Sequence, residues 1–496
     1  MDKGRFPNEL CNLDEAIQVF PFTLIALAKL ISFTYPQLLH NLKRGTLVAF
    51  VCFLWGITFL DKRINPCGIA GKLTKISHDR LQNIRNSLYL NATVIMLEML
   101  QQALQLMTAV PYSQTMLILD DVLIPKPYAK CIQGAYWDHD HVLDIPCFGI
   151  RVVVLVWSNG ILDIPVAFLT WHKNQNPMQS YAPRRYRSKN SLARILVYWV
   201  YKKGLRFSVL TFDAWYSKEE NLILFNRLGI VWVTALAPNR FIRLPLATPR
   251  KNPRGKSTTH EKLRCEQLSQ RYPRRGQYSN YPALDFRAKA FGVDLTTNVS
   301  NLRLVLVRDY IKSRSFEQEA ALTKHKKRHP HKYLLTNSLT ASVSWVIRCY
   351  KSRWQIEWVF RESKQHFALG SCSAVSFDAV MQHISFSFLG FVSLQQLRSD
   401  TSCSVLPLLG GTRKVKNNHT LGEYRRELQQ LYQIRIETSV YMVNLSEQCE
   451  SVDNILTDKI LNNILSDTEH ETKSDKPFAH IKDDKTLSYL VIDKVA

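Results

Sequence analysis

The chain has 496 residues, 46% hydrophobic and 11% aromatic, enough to bury a core and to exclude disorder as an account of the whole. Lysine and arginine total 65 against 41 aspartates and glutamates, a formal charge of +24 that favours a polyanionic partner, nucleic acid ahead of an acidic membrane surface. The ten cysteines form no Cys-x-x-Cys pair, which argues against a zinc ribbon or a dense disulfide framework and fits reduced thiols of a cytosolic protein.

Taken in chain order, residues 1–110 come first, and from about Leu10 to Val110 apolar positions recur at three- and four-residue intervals, with Pro21, Pro36 and Pro66 as punctuation. This predicts a helical N-terminal domain, serving either to bind a DNA end or to support the rest of the fold. No basic stretch leads into an apolar run and a small-residue cleavage site, so no secretory signal is expected. The apolar run at residues 45–60 has 16 residues, where a membrane span needs about 20. It reads as a buried helix, and no membrane partner is expected.

From residue 111 the pattern turns to short β-rich runs at 116–124, 149–157 and 161–171, the last two separated by Ser158-Asn159-Gly160. A helix at 191–203, a strand at 207–212, a helix at 219–228 and a strand at 230–235 follow. Three strands and then alternating helix and strand fit an α/β sheet with mixed strand directions. Between residues 240 and 332, 22 lysines and arginines face 7 acidic residues in a Pro-rich, strand-bearing stretch. That excess is too concentrated for a merely solvated face and marks a DNA-contacting region. A long helix at 342–367 and an apolar helix at 378–398 come next. Residues 401–496 end in a tail that from Glu447 carries 11 acidic and 6 basic residues, read as weakly structured and solubilising or regulatory.

Asp120 closes the apolar run 116–119 and Asp213 closes the equivalent run 209–212, each delivering a carboxylate at or near a strand end. One such aspartate is more often a cap or turn former; two on successive elements of one sheet point to a shared site. Asp121 competes with Asp120, but strand neighbours point to opposite faces, and Asp120 is preferred. The long helix offers a third carboxylate. At about 100° per residue, Arg353, Glu357 and Lys364 fall at roughly 300°, 340° and 320° from Tyr350, one narrow stripe. Ile356, Val359, Phe360 and Phe367 make an adjacent apolar stripe for docking on the sheet. Glu362, near about 120°, points elsewhere, so Glu357 is the acidic candidate. Arg361 lies one turn after Glu357; alone, such a pair is an exposed i, i+4 contact worth about 0.2–0.5 kcal/mol.

Two further segments attract attention. Trp137-Asp138-His139-Asp140-His141 is rich in metal-ligand types, yet if extended it puts histidines on one face and aspartates on the other, and it reads as a polar loop near the site's mouth. Arg184-Arg185-Tyr186-Arg187-Ser188-Lys189 is either a DNA-backbone contact or a solvated loop.

Tyr350, Arg353, Glu357 and Lys364 match the Tyr-x2-Arg-x3-Glu-x6-Lys signature of DDE transposases from bacterial insertion sequences. With Asp120 and Asp213 upstream, the sequence resembles that family over about residues 117–398. The resemblance implies a ribonuclease H-like catalytic core in two parts, residues 111–239 and 339–400, interrupted by a strand-rich insertion at 240–338. It also implies that Asp120, Asp213 and Glu357 hold two divalent ions, Mg2+ or Mn2+, while Tyr350, Arg353 and Lys364, with Arg361 beside them, grip DNA phosphates. Trp215 and Ser217 resemble the family's pattern after the second aspartate and are assigned to shaping the site. The implied partners are double-stranded DNA, as terminal inverted repeats and target, and a second copy of the chain in a synaptic homodimer. The setting is the bacterial cytoplasm, at the nucleoid. Two other readings share these residues: a DNA-binding derivative that has lost catalysis, and a ribonuclease H-like nuclease that cuts without strand transfer.

Overall fold

The computed structural model describes residues 44–399 apart from 172–186, 310–330 and the short stretches 61–64, 74–75, 85–86, 88–89, 127–128, 130, 141–143, 252–256, 285 and 373. It also describes residues 27, 34, 35, 42, 422, 425 and 426. The chain opens with helices α1 (Arg44–Phe59), α2 (Pro66–Ala70), α3 (His78–Ile84) and α4 (Ala92–Leu106). Asn65 and Asn91 cap α2 and α4, their side-chain oxygens accepting the N–H groups of Gly68 and Val94. The apolar residues of α1 from Ala49 to Phe59 are buried, as the 16-residue run suggests.

The central sheet begins with β1 (Met116–Pro125), β2 (Tyr136–Asp140), β3 (Ile145–Ser158) and β4 (Asp163–Trp171). Helix α5 (Lys189–Lys202), β5 (Val209–Phe212), α6 (Glu219–Arg227) and β6 (Trp232–Leu236) follow. The core order is β4-β3-β1-β5-β6, with β1 antiparallel to β3 and parallel to β5, and β5 parallel to β6. The β3–β4 hairpin turns at Gly160, whose φ of 84° suits glycine. Asn159 Oδ1 there accepts from the backbone of Ile161 and Leu162. β3 is buried from Val152 to Trp157 on both faces, the continuous apolar run expected of a strand covered on both sides.

Residues 240–338 are rich in strands: β7 (Phe241–Lys251), β8 (Ser257–Arg264), α7 (Cys265–Arg271), β9 (Ser279–Tyr281), β10 (Phe286–Val293), β11 (Leu302–Asp309) and β12 (His331–Thr336). β7 and β8 form a two-stranded ribbon, whereas β12, β11, β10 and β9 continue the central sheet outward from β6, all antiparallel. The sheet is mixed and large, consistent with the ribonuclease H-like core implied above.

The chain returns through α8 (Val343–Ser352), α9 (Trp354–His366) and α10 (Phe377–Ser399). One helix was expected over 342–367. Instead it breaks at Arg353, where Arg353 N donates to Tyr350 O and Ile356 N to Arg353 O, a local i−3 tightening between two α-helical segments. α10 runs through the core against α1: Phe386 meets Phe50 and Phe53, both with ring centroids 5.5 Å apart. At Gly390 an added Cβ would come within 2.9 Å of Thr58 Oγ1, so glycine permits this close approach. Among the described residues Phe377–Gln396 is long and apolar enough to cross a membrane, and 89% of it is buried inside the fold. Arg425 is buried as well, its Nη2 donating to Leu60 O at 2.8 Å. The acidic tail from Glu447 lies outside the described residues.

Candidate active site

Asp120 does not end its strand: it is the fifth of ten residues in β1. What ends there is the neighbour. The β1–β5 pairing stops at Leu119↔Phe212, so Asp120 and Asp213 are the next residues in that register. Neighbouring residues of a parallel ladder in register point to the same face, so Asp120, rather than Asp121, lies beside Asp213 in that register. Asp213 also caps the 3-10 turn Ala214–Tyr216, its Oδ1 accepting from Trp215 N at 2.7 Å, while Thr234 Oγ1 donates to its carbonyl at 3.1 Å.

The broken helix supplies the third carboxylate. Arg353 sits at the junction of α8 and α9, and its guanidinium bridges two acids: Nη1 to Asp120 Oδ2 at 2.7 Å and Nη2 to Glu357 Oε1 at 2.7 Å. Glu357 is thereby tied to β1. Tyr350 is half-buried with its ring centroid 5.7 Å from Arg353 Cζ. Arg361 and Lys364 reach solvent farther along α9. Glu362 does turn away from Glu357, but into the core rather than into solvent; it is buried, with His366 Nε2 at 4.0 Å.

Charge in this cluster is incompletely balanced. Burial, and then the nearby Asp213, push the Asp120 carboxyl up to about 8 against the opposing pull of Arg353. Burial raises the Asp213 carboxyl too, although the Trp215 N–H and Arg353 favour its ionised form. Burial raises the Tyr350 hydroxyl, and partial desolvation of the Lys364 ammonium lowers it although Asp140 nearby opposes that change. Among the described residues, no group of three His, Cys, Asp or Glu side chains is arranged to hold a metal ion. The donor types nonetheless suit a hard divalent cation: three carboxylates, two of them adjacent across a strand register. The Arg353 guanidinium takes up the space between Asp120 and Glu357, so a cation shared by those two requires it to withdraw.

The other face of β1 carries contacts that sequence patterning does not announce. Asp121 accepts from Arg151, Lys189 and Tyr216, and Arg151 also pairs with Asp138. Asp120 and Asp121 point to opposite faces, so α5, which begins with Lys189, covers one side of β1 and α9 the other. The segment expected as a polar loop is strand β2, paired with the start of β3. Its residues alternate as foreseen, Asp138 inward on Arg151 and His139 outward. His141 lies outside the described residues, as do Arg184, Arg185 and Tyr186 of the basic stretch before α5; Lys189 reaches Asp121. Trp215 is exposed with Lys189 Nζ 4.6 Å from its ring centroid, and Ser217 Oγ donates to Ala214 O to close the turn.

Compared with known families, residues 35–284 match the family described as DDE superfamily endonuclease. The match covers Asp120 and Asp213 and ends before the helix that carries Glu357. No curated protein matches the chain.

Proposed function

The chain belongs to the DDE superfamily of endonucleases, and on that premise we propose that it is the transposase of a bacterial insertion sequence, nicking DNA at the element's ends and joining the freed 3′-hydroxyl to target DNA. The observation that carries this reading is the placement of Asp120 beside Asp213 in the β1–β5 register, with Glu357 of α9 linked to Asp120 through Arg353. Asp120, Asp213 and Glu357 would hold two divalent ions, Mg2+ or Mn2+. Ions held there would supply activation of water or a 3′-hydroxyl and stabilisation of the leaving oxygen of an in-line displacement.

The chain's own cations take the complementary part. Lys364 and Arg361 on the exposed side of α9 contact the phosphates of the element's end, with Tyr350 and Arg353 at the inner end of the same stripe. Arg353, now on Asp120 and Glu357, would be free to take a phosphate if cations occupied those carboxylates. The basic strands of residues 240–332 add sequence-independent affinity. Two ends must be brought together, so the working form is a homodimer on DNA, in the cytoplasm of the host cell.

The test is a joining assay. Pre-cleaved duplexes ending in the terminal repeat and carrying a free 3′-hydroxyl are mixed with supercoiled plasmid and Mg2+ or Mn2+. Covalent insertion products are expected. Nicking of uncleaved ends without joining would instead establish a nuclease without strand transfer, and binding without nicking an inactive derivative.

A further inference from the structure

Behind the acid cluster lies a set of buried charged groups that the proposed chemistry does not use. Asp121 Oδ1 accepts from Tyr216 Oη at 2.6 Å, and Asp121 Oδ2 from Arg151 Nη1 at 2.7 Å and Lys189 Nζ at 3.2 Å. Arg151 reaches onward to Asp138 through Nε and to His139 O through Nη2 at 3.3 Å. The Asp121 and Arg151 side chains are each 8% exposed, and Tyr216 is fully buried. Such a network is weak evidence of net stabilisation, because desolvation offsets the Coulombic gain. What it does provide is a fixed arrangement.

That arrangement falls where the backbone leaves a gap. The β1–β5 ladder ends at Leu119↔Phe212, so no ladder bond holds Asp213 to Asp120. Asp213 instead belongs to the 3-10 turn after β5, with Trp215 N on its Oδ1 at 2.7 Å and Tyr216 N on its carbonyl at 3.2 Å. The far end of that turn is Tyr216, whose hydroxyl reaches back to Asp121, the residue next to Asp120. Lys189 adds a second tie, bonded to Asp121 and lying 4.6 Å from the Trp215 ring centroid.

The geometry assigns Tyr216 and Asp121 a positioning role: the Tyr216 hydroxyl on Asp121 sets the spacing of the Asp120 and Asp213 carboxylates, and with it their affinity for a divalent cation. This rests on the reading of Asp120 and Asp213 as cation ligands. Tyr216→Phe removes one hydroxyl and touches neither carboxylate. In the full chain, Mn2+ binding is followed by electron paramagnetic resonance and calorimetry, beside thermal unfolding, DNA affinity, and the Mg2+ dependence of nicking. Mn2+ affinity is expected to fall roughly 10- to 100-fold, the usual consequence of removing a group that orients a metal ligand. The Mg2+ concentration for half-maximal nicking should rise in parallel, while cooperative unfolding and DNA affinity are retained. Equal Mn2+ affinity in wild type and Tyr216→Phe overturns the assignment alone. So does a loss of Mn2+ affinity that merely accompanies loss of cooperative unfolding, since the hydroxyl then serves stability only. A wild-type chain that binds no Mn2+ and nicks no DNA overturns the functional reading, and this assignment with it.

Discussion

Asp120 and Asp121 are neighbours on one strand, and β1 delivers them into opposite surroundings. Asp121 is enclosed by Arg151, Lys189 and the Tyr216 hydroxyl, so its charge is answered from three directions. Asp120 has the N–H of Asp121 and one arginine, which it shares with Glu357, and it stands beside the like charge of Asp213. A carboxylate compensated in this way is structurally complete, whereas Asp120 keeps an unmet demand for positive charge. Positions of the second kind are where a cation or a catalytic proton is handled.

The sharpest way to break this comparison is to neutralise each side in turn. Asp120→Asn, Asp213→Asn and Glu357→Gln are expected to reduce metal-dependent nicking by roughly 10^3-fold or more, the order seen when one member of a jointly acting set is removed. All three should keep cooperative unfolding. Strand alternation alone predicts that Asp121→Asn is milder. To that expectation for nicking the structure adds a cost in stability, because the change leaves Arg151 and Lys189 around a neutral amide, and breaking a buried pair costs about 3–5 kcal/mol. Its principal effect should be a lowered Tm. Glu362→Gln, buried near His366, should likewise affect unfolding rather than chemistry. Full nicking by Glu357→Gln, or an unaltered Tm in Asp121→Asn, would erase the distinction between the two faces.

A smaller effect sharpens it. Burial pushes the Asp120 carboxyl from 3.8 up to about 8, so the folded, metal-free chain prefers it protonated. The stability linked to that preference is fully present below the ordinary carboxylate range and is lost as pH rises through about 8. Asp120→Asn cannot ionise. In chelator its Tm should therefore gain on that of wild type steadily between pH 5 and pH 9, and added Mn2+ should close the gap. A Tm difference that stays flat with pH would show that Asp120 is already compensated, like Asp121.

Much of the acidic site could be read from the sequence because it follows local rules. Apolar runs ending in aspartate mark β1 and β5, the Asn-Gly turn marks the β3–β4 hairpin, and the helical stripe chooses Glu357 over Glu362. The rest depends on partners far apart in the chain. Asp121 meets Arg151, Lys189 and Tyr216 across 30, 68 and 95 residues, and no periodicity announces such a meeting. β2 escapes a pattern-based reading because its sequence is polar. Pairing with β3 and ring contacts of Tyr136 with Trp171 and of Trp137 with Phe148 hold it extended. The break at Arg353 escapes it because a helical wheel assumes continuity, yet it is the junction residue that reaches both Asp120 and Glu357.

The smallest expected effects concern cations that reach solvent. Arg361 and Lys364 project from α9 beyond Glu357, and their removal leaves the apolar stripe of Ile356, Val359 and Phe360 buried as before. Arg361→Ala and Lys364→Ala should therefore unfold like wild type. Each should weaken binding to a duplex bearing the element's end and flatten the plot of log K against log salt by about 0.9 for each phosphate no longer neutralised. The basic strands offer the contrast. Lys262 lies 4.8 Å from the Phe241 ring centroid and Lys289 lies 4.1 Å from that of Tyr272, so these cations are held on aromatic rings of residues 240–338 rather than beside the carboxylates. Lys262→Gln with Lys289→Gln should flatten the salt dependence equally on end-bearing and unrelated duplexes. Lys364→Ala should act chiefly on the end-bearing one, because its interaction depends on an end seated over Asp120, Asp213 and Glu357. Equal weakening on both duplexes for Lys364→Ala would place it with the general phosphate-binding cations and remove it from the site.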